Sequence, residues 1–164
     1  MAKSDSFFIR ARVTAPQTGI FNQVPIDLGS YVDALGKSVL RIHNISVVYQ
    51  DSTNSHRPPQ KGAGAEGSVG FQVTTQSRAS YLFADDRSLV SSGMLEVDTN
   101  EGVHEASNLN PMHWTNGYLI AVESLYLGAQ QASIQNDTEI SVILECTVET
   151  MTQAAAMALS LSQQ

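Results

Sequence analysis

Glu139-Ile140-Ser141-Val142-Ile143-Leu144-Glu145-Cys146-Thr147-Val148-Glu149 is the stretch whose reading decides the fold class. Its apolar residues recur at every second position, the period of a strand with one buried face and not of a helix. Ile140, Val142, Leu144, Cys146 and Val148 are expected to face a core. Glu139, Ser141, Glu145, Thr147 and Glu149 are expected to face out, with Ile143 the exception. Cys146 is the only cysteine, so no intrachain disulfide can form, and on the core face it reads as a buried thiol. A chain built this way suits synthesis in a reducing cytosol.

The residues after this stretch change character. Thr150 to Gln164 is rich in Ala, Met and Leu and favours helix, with Thr150 as the expected cap. Met151, Ala155, Ala158 and Leu159 fall on one small apolar stripe, suited to packing on its own sheet or on a neighbouring subunit.

Period two also governs the residues before it. Phe7, Ile9, Ala11 and Val13 alternate with Phe8, Arg10, Arg12 and Thr14. Val24, Ile26 and Leu28 form a second strand, and Pro25 within it requires an edge or a bulge. Ser38 to Gln50 is the longest strand. Its apolar phase shifts from Leu40 and Ile42 to Ile45, Val47 and Tyr49, which predicts a bulge near His43-Asn44 or burial on both faces. Val69 to Thr75 is a fourth strand, Tyr81 to Phe83 a short fifth, and Met94 to Val97 a sixth. Asp85 to Val90 reads as a helical first turn, with acids where the helix dipole favours them. Tyr118 to Leu127 is a seventh strand, apolar on both faces and so central or covered twice. Gly128 to Asp137 reads as a turn, and Glu139 to Glu149 closes the count at eight.

Residues 51–68 and 99–115 are two long polar loops, the first broken by Pro58, Pro59, Gly62, Gly64 and Gly67. A chain of 164 residues fits a single domain, here 1–164 with a helical tail at 150–164. Eight strands and little helix predict an all-β antiparallel sandwich, best matched by an eight-stranded jelly roll. An immunoglobulin-like sandwich and an up-and-down barrel stay open, because strand order is not legible at this level.

Charge is sparse, at 15% of residues, and uneven. All nine Lys and Arg lie within the first 87 positions, against seven carboxylates there, a balance of +2. The remaining 77 residues carry nine carboxylates and no cation, a balance of −9. If the two parts occupied different faces, copies would attract head to tail. The C-terminal part lacks the clustered cations that phosphate binding needs, so extensive nucleic-acid contact is not expected. The N-terminus has no apolar signal segment, and no apolar run approaches the ~20 residues that span a bilayer.

No catalytic signature is found. There is no G-x-S-x-G elbow, Walker loop or dinucleotide fingerprint. His104 and His113 share the second long loop with Glu101 and Glu105, a set that could hold zinc, but the spacing matches no zinc signature. Asp98-Thr99-Asn100-Glu101-Gly102 resembles the start of a calcium loop and then fails its pattern. No cofactor is expected. Arg10 and Arg12 share the outward face of the first strand, where an acidic partner could meet them. Trp114, beside Met112 and Tyr118, is of the type enriched in interface cores. The interface candidates are therefore Arg10, Arg12, His104, His113, Trp114, Met151, Ala155 and Leu159.

With the segments Leu40-Arg41-Ile42-His43-Asn44-Ile45-Ser46-Val47 and Tyr118-Leu119-Ile120-Ala121-Val122-Glu123-Ser124-Leu125, the chain resembles single jelly-roll capsid proteins of icosahedral viruses. The resemblance is one of architecture across the chain. It implies a structural, non-enzymatic subunit that assembles with its own copies and with other shell proteins, located in the virion. Outside that setting the cytoplasm is expected. One departure stands out: a single Lys3 replaces the basic arm of many genome-binding capsid proteins, which implies either a surface turned to a membrane or another protein layer, or a genome charge left to other proteins. The alternative is a non-catalytic module that binds carbohydrate or protein around Trp114.

Overall fold

The computed structural model describes residues 4–33, 37–62, 67–97 and 114–164. Among the described residues eight strands form two four-stranded antiparallel sheets: β1 (Phe7–Ala15), β2 (Asn22–Asp27), β3 (Ser38–Asp51), β4 (Gly67–Thr74), β5 (Leu89–Val97), β6 (Tyr118–Ile120), β7 (Ser124–Ala132) and β8 (Thr138–Thr150). One helix, α1 (Gln153–Ser162), follows. The strand orders are β1-β8-β3-β6 and β2-β7-β4-β5. First pairs with eighth, second with seventh, third with sixth and fourth with fifth. This nesting is a long antiparallel ribbon rolled upon itself, which is a jelly roll; a meander barrel would pair sequence neighbours throughout. The fold is therefore the expected eight-stranded sandwich with a short C-terminal helix.

One core lies between the sheets. Val13, Ile42, Ile45, Ile140, Val142, Leu144 and Cys146 come from the first sheet; Ile26, Val69, Phe71, Val73, Leu125 and Leu127 come from the second. The phase change in β3 is resolved by a bulge where the register to β8 shifts between Ile42 and Asn44. The inserted His43 turns the pleat over, so Leu40 and Ile42 before it and Ile45 after it are all buried in the same core. Pro25 lies in β2, an edge strand bonded to β7 alone, where its missing N–H costs no ladder bond.

Several local expectations fail for identifiable reasons. Tyr81 to Phe83 forms no strand. The ladder position beside β4 is taken by Leu89–Val97, and Tyr81 instead packs over Gly70, its hydroxyl 2.8 Å from the Phe71 carbonyl. Asp85 to Val90 is not a helical turn. The Asp86 carboxylate accepts from the backbone N–H and hydroxyl of Ser88 at 2.8 and 2.6 Å, a local turn that releases Leu89 and Val90 into β5. Tyr118 to Leu127 is not one strand. It breaks at residues 121–123 and crosses from one sheet to the other, which is why both of its faces are apolar. The turn expected from Gly128 begins only after β7 ends at Ala132. Thr150 does not cap the helix, because it still pairs with Ser38. The cap is Thr152, whose side chain accepts from the Ala155 N–H.

Candidate interaction surfaces

The outer face of the β1-β8-β3 sheet is assembled by the register itself. Phe8 lies across from Glu145 and Asn44, Arg10 from Ile143 and Ser46, Arg12 from Ser141 and Val48. Phe8 is 54% exposed and Val48 44%, so the face mixes apolar groups with charge. The Arg10 guanidinium carbon sits 5.7 Å from the centre of the Phe8 ring, within the range of a cation–π contact. Arg12 lies 3.4 Å from Glu139, with its side chain 70% exposed. Glu139 also accepts from the Thr14 hydroxyl at 2.9 Å.

The register interleaves the two unevenly charged parts of the chain within one sheet. Acidic β8, from the C-terminal part, lies between β1, which carries Arg10 and Arg12, and β3, which carries Arg41, both from the N-terminal part. Arg12 meets Glu139 and Arg41 meets Glu149, so charges that are far apart in sequence are neutralised inside one sheet.

At the other end of that face the strands bury a polar pair that the sequence reading placed in solvent. Glu149 and Thr147 point away from the core as expected, yet both are buried. Arg41 donates from Nε to Glu149 Oε1 at 2.7 Å and from Nη2 to Oε2 at 2.8 Å, a planar two-bond clasp. Its Nη1 donates to the Asn116 carbonyl. Hydrogen bonding to Glu149 raises the Arg41 pKa further still, against a smaller opposing effect of burial. His43 Nε2 lies 2.9 Å from Thr147 Oγ1.

The arm of chain over this pair turns sharply at Gly117, which takes φ +72°. A Cβ there would lie 2.5 Å from the Ile42 carbonyl oxygen, so only glycine lets the arm approach the sheet this closely. Trp114 sits at the other side of the turn, half-buried, its ring centre 5.5 Å from that of Tyr118. Arg41, His43, Trp114, Asn116, Gly117 and Glu149 together line an open cleft of about 640 Å³.

Helix α1 docks on the neighbouring part of the same sheet. Ala156 packs with Val39 and Ala121, with Leu119, Met151 and Leu159 around them. Gln163 fastens the end of the helix, accepting from the Ala121 N–H at 2.9 Å and donating to the Leu119 carbonyl at 2.7 Å. Met151 and Leu159 thus pack against their own sheet, and Ala155 is half-buried beside them. Met157 and Leu161 face solvent, Leu161 at 69% exposure.

Of the candidates read from sequence, Arg10 and Arg12 share one surface. Trp114 lines the cleft further along, and Met151, Ala155 and Leu159 belong to the helix seam. His104, His113 and the calcium-like Asp98 to Gly102 lie outside the described residues. Among the described residues no three His, Cys, Asp or Glu side chains converge as a metal site, and no helix is long and apolar enough to cross a membrane. The Arg41–Glu149 clasp escaped the sequence reading, because 108 positions separate the partners and only the β3–β8 register joins them. Asn116-Gly117 was the available signal for the tight turn beside it.

No protein-family model and no curated protein matches the chain. Solved structures give a likeness at low identity. Merkel cell polyomavirus VP1 in complex with disialyllactose aligns at TM-score 0.45 and 8% identity, over 88% of this chain and 96% of that one. The same virus's VP1 as an unassembled pentamer gives 0.42 and 7%, over 88% and 96%. VP1 of trichodysplasia spinulosa-associated polyomavirus with 3'-sialyllactose gives 0.43 and 8%, over 88% and 97%. The chain itself is a single jelly roll by its own strand pairing, independently of these likenesses.

Proposed function

We propose that the chain is a structural subunit that assembles with copies of itself into a shell of the viral capsid type, without catalytic activity. The observation that carries this reading is the outer face of the β1-β8-β3 sheet. Phe8 and Val48 stand exposed there on a rigid frame, with Arg10 and Arg12 beside them. Apolar groups interleaved with Arg are the composition of a protein interface core. The low overall charge supports the same reading, since little must be desolvated when copies pack. On this account the protein resides in the virion, alongside other shell proteins, and its contact with nucleic acid is not extensive. The test is sedimentation of the wild type and of Phe8→Ser combined with Val48→Ser. Concentration-dependent oligomers that the double variant weakens support the proposal. A wild type that stays monomeric at high concentration, across salt and calcium, contradicts it.

The cleft favours a second reading, a binding module for carbohydrate or protein. Trp114 offers an aromatic surface beside His43, Asn116 and the Arg41–Glu149 clasp, a combination suited to a polar ligand with an apolar face. Replacing Trp114 with Ala should then abolish binding in a glycan array while the far-ultraviolet spectrum stays native. Unchanged binding rejects this reading.

A further inference from the structure

We infer that Asn116 is a site of spontaneous deamidation in the folded protein, promoted by Arg41, and that the change reshapes the cleft beside Glu149. Asn116-Gly117 is the only Asn-Gly step in the chain. Glycine offers the least steric obstruction to its own backbone nitrogen, and here it cannot be exchanged, because a Cβ at Gly117 would strike the Ile42 carbonyl. The Asn116 side chain is exposed, so water reaches it.

The chemistry is intramolecular. The Gly117 backbone nitrogen loses its proton and attacks Cγ of the Asn116 side chain. A five-membered succinimide closes and ammonia leaves, carrying the side-chain nitrogen. Water then opens the ring at one of its two carbonyls, giving aspartate or isoaspartate. The net exchange is one water consumed and one ammonia released, with no oxidant or reductant. Arg41 acts on the first step. Its Nη1 donates to the Asn116 carbonyl, the oxygen of the same peptide unit whose nitrogen attacks. A cation on that oxygen stabilises the deprotonated amide that is the nucleophile. The bidentate clasp to Glu149 holds the guanidinium in place for this.

The product alters the site. Either opening adds a carboxylate to the cleft that Glu149 also lines, and in isoaspartate the main chain reaches Gly117 through Cβ and Cγ, one methylene longer, while the carbonyl held by Arg41 becomes the free carboxylate. Trp114, the only tryptophan, is two residues away and reports the change by its fluorescence.

The experiment incubates the native full chain under mildly basic conditions and follows the peptide Ala106 to Glu123, released by cleavage after glutamate, by mass spectrometry. Deamidation localised to Asn116 is expected, lost in Asn116→Gln and slowed several-fold in Arg41→Lys. Lysine keeps the charge but cannot reach Glu149 and the Asn116 carbonyl together. Both variants are also incubated unfolded in urea, where Arg41→Lys should match the wild type, so that a folding defect is not mistaken for a chemical one. A native chain that gains no mass in this peptide while the unfolded chain does overturns the inference. So does an Arg41→Lys variant that reacts as fast as the wild type in the folded state.

Discussion

Arg41 on β3 and Glu149 on β8 meet through two parallel hydrogen bonds, at 2.7 and 2.8 Å, on the outer face of a sheet whose other face is core. Their side chains are 18% and 7% exposed. Removing one partner leaves the other partly buried without its paired charge. Glu149→Gln is expected to lower unfolding free energy by about 2–3 kcal/mol, below the figure for a fully enclosed pair because the cleft is open to solvent. Arg41→Met combined with Glu149→Leu should recover most of that loss, since an apolar pair of similar volume needs no compensation. Urea unfolding of the three proteins checks both statements.

Gly117 is fixed by sterics on two counts, its positive φ and the nearby Ile42 carbonyl. Gly117→Ala should cost about 2 kcal/mol or more, because the left-handed backbone is itself strained for alanine and the arm must also move off β3. The same variant should shift Trp114 emission in the folded state. A variant as stable as the wild type, with unchanged emission, would show that the arm is not held by this turn.

Cys146 is fully buried, and desolvation pushes its thiol up to about 12, with Glu145 adding to the shift. Near neutral pH the nucleophilic thiolate is therefore scarce as well as inaccessible. A disulfide reagent should label the native protein only at the rate of its opening, and label the urea-unfolded chain at once. Rapid labelling of the native state would contradict the packing of β8 against the core.

Asp51, at the end of β3, binds its neighbours through its charge. Burial opposes that charge. Hydrogen bonds from Asn136, from the Thr53 hydroxyl and from the backbone N–H groups of Thr53 and Asn54 outweigh it, and the carboxyl is held below its ordinary range. A lowered folded-state value means that this stabilisation is complete above about pH 4, the range of a free aspartate, and is lost as pH falls through the lower folded value. Asp51→Asn should flatten the acid limb of the stability curve in that window. Identical acid limbs for the two proteins would contradict the assignment.

How far the sequence reaches can be judged on particular strands. Alternation in β1 and β8 was legible because each buries one face, and the phase change between Ile42 and Ile45 located the His43 bulge, although burial on both faces would give the same pattern and only the register decides between them. The total of eight was reached through two errors that cancel. Tyr81 to Phe83 looked like a strand because three large apolar residues follow one another, of which Tyr81 covers the outside of β4 and Phe83 stands in solvent, and Tyr118 to Leu127 looked like one strand because only Glu123 and Ser124 interrupt its apolar run where the chain crosses between sheets. Pattern reports which residues are buried, not which sheet buries them. Glu149 shows the same limit at the candidate cleft: its strand position was readable, but its partner lay 108 residues away and followed only from the register.

The central claim is assembly, and the solution mass of the purified protein tests it most directly, by light scattering after size exclusion with electron microscopy of any large fraction. The account predicts closed oligomers or shells. A single species at the 17.7 kDa of the monomer, unchanged as concentration rises, would contradict it.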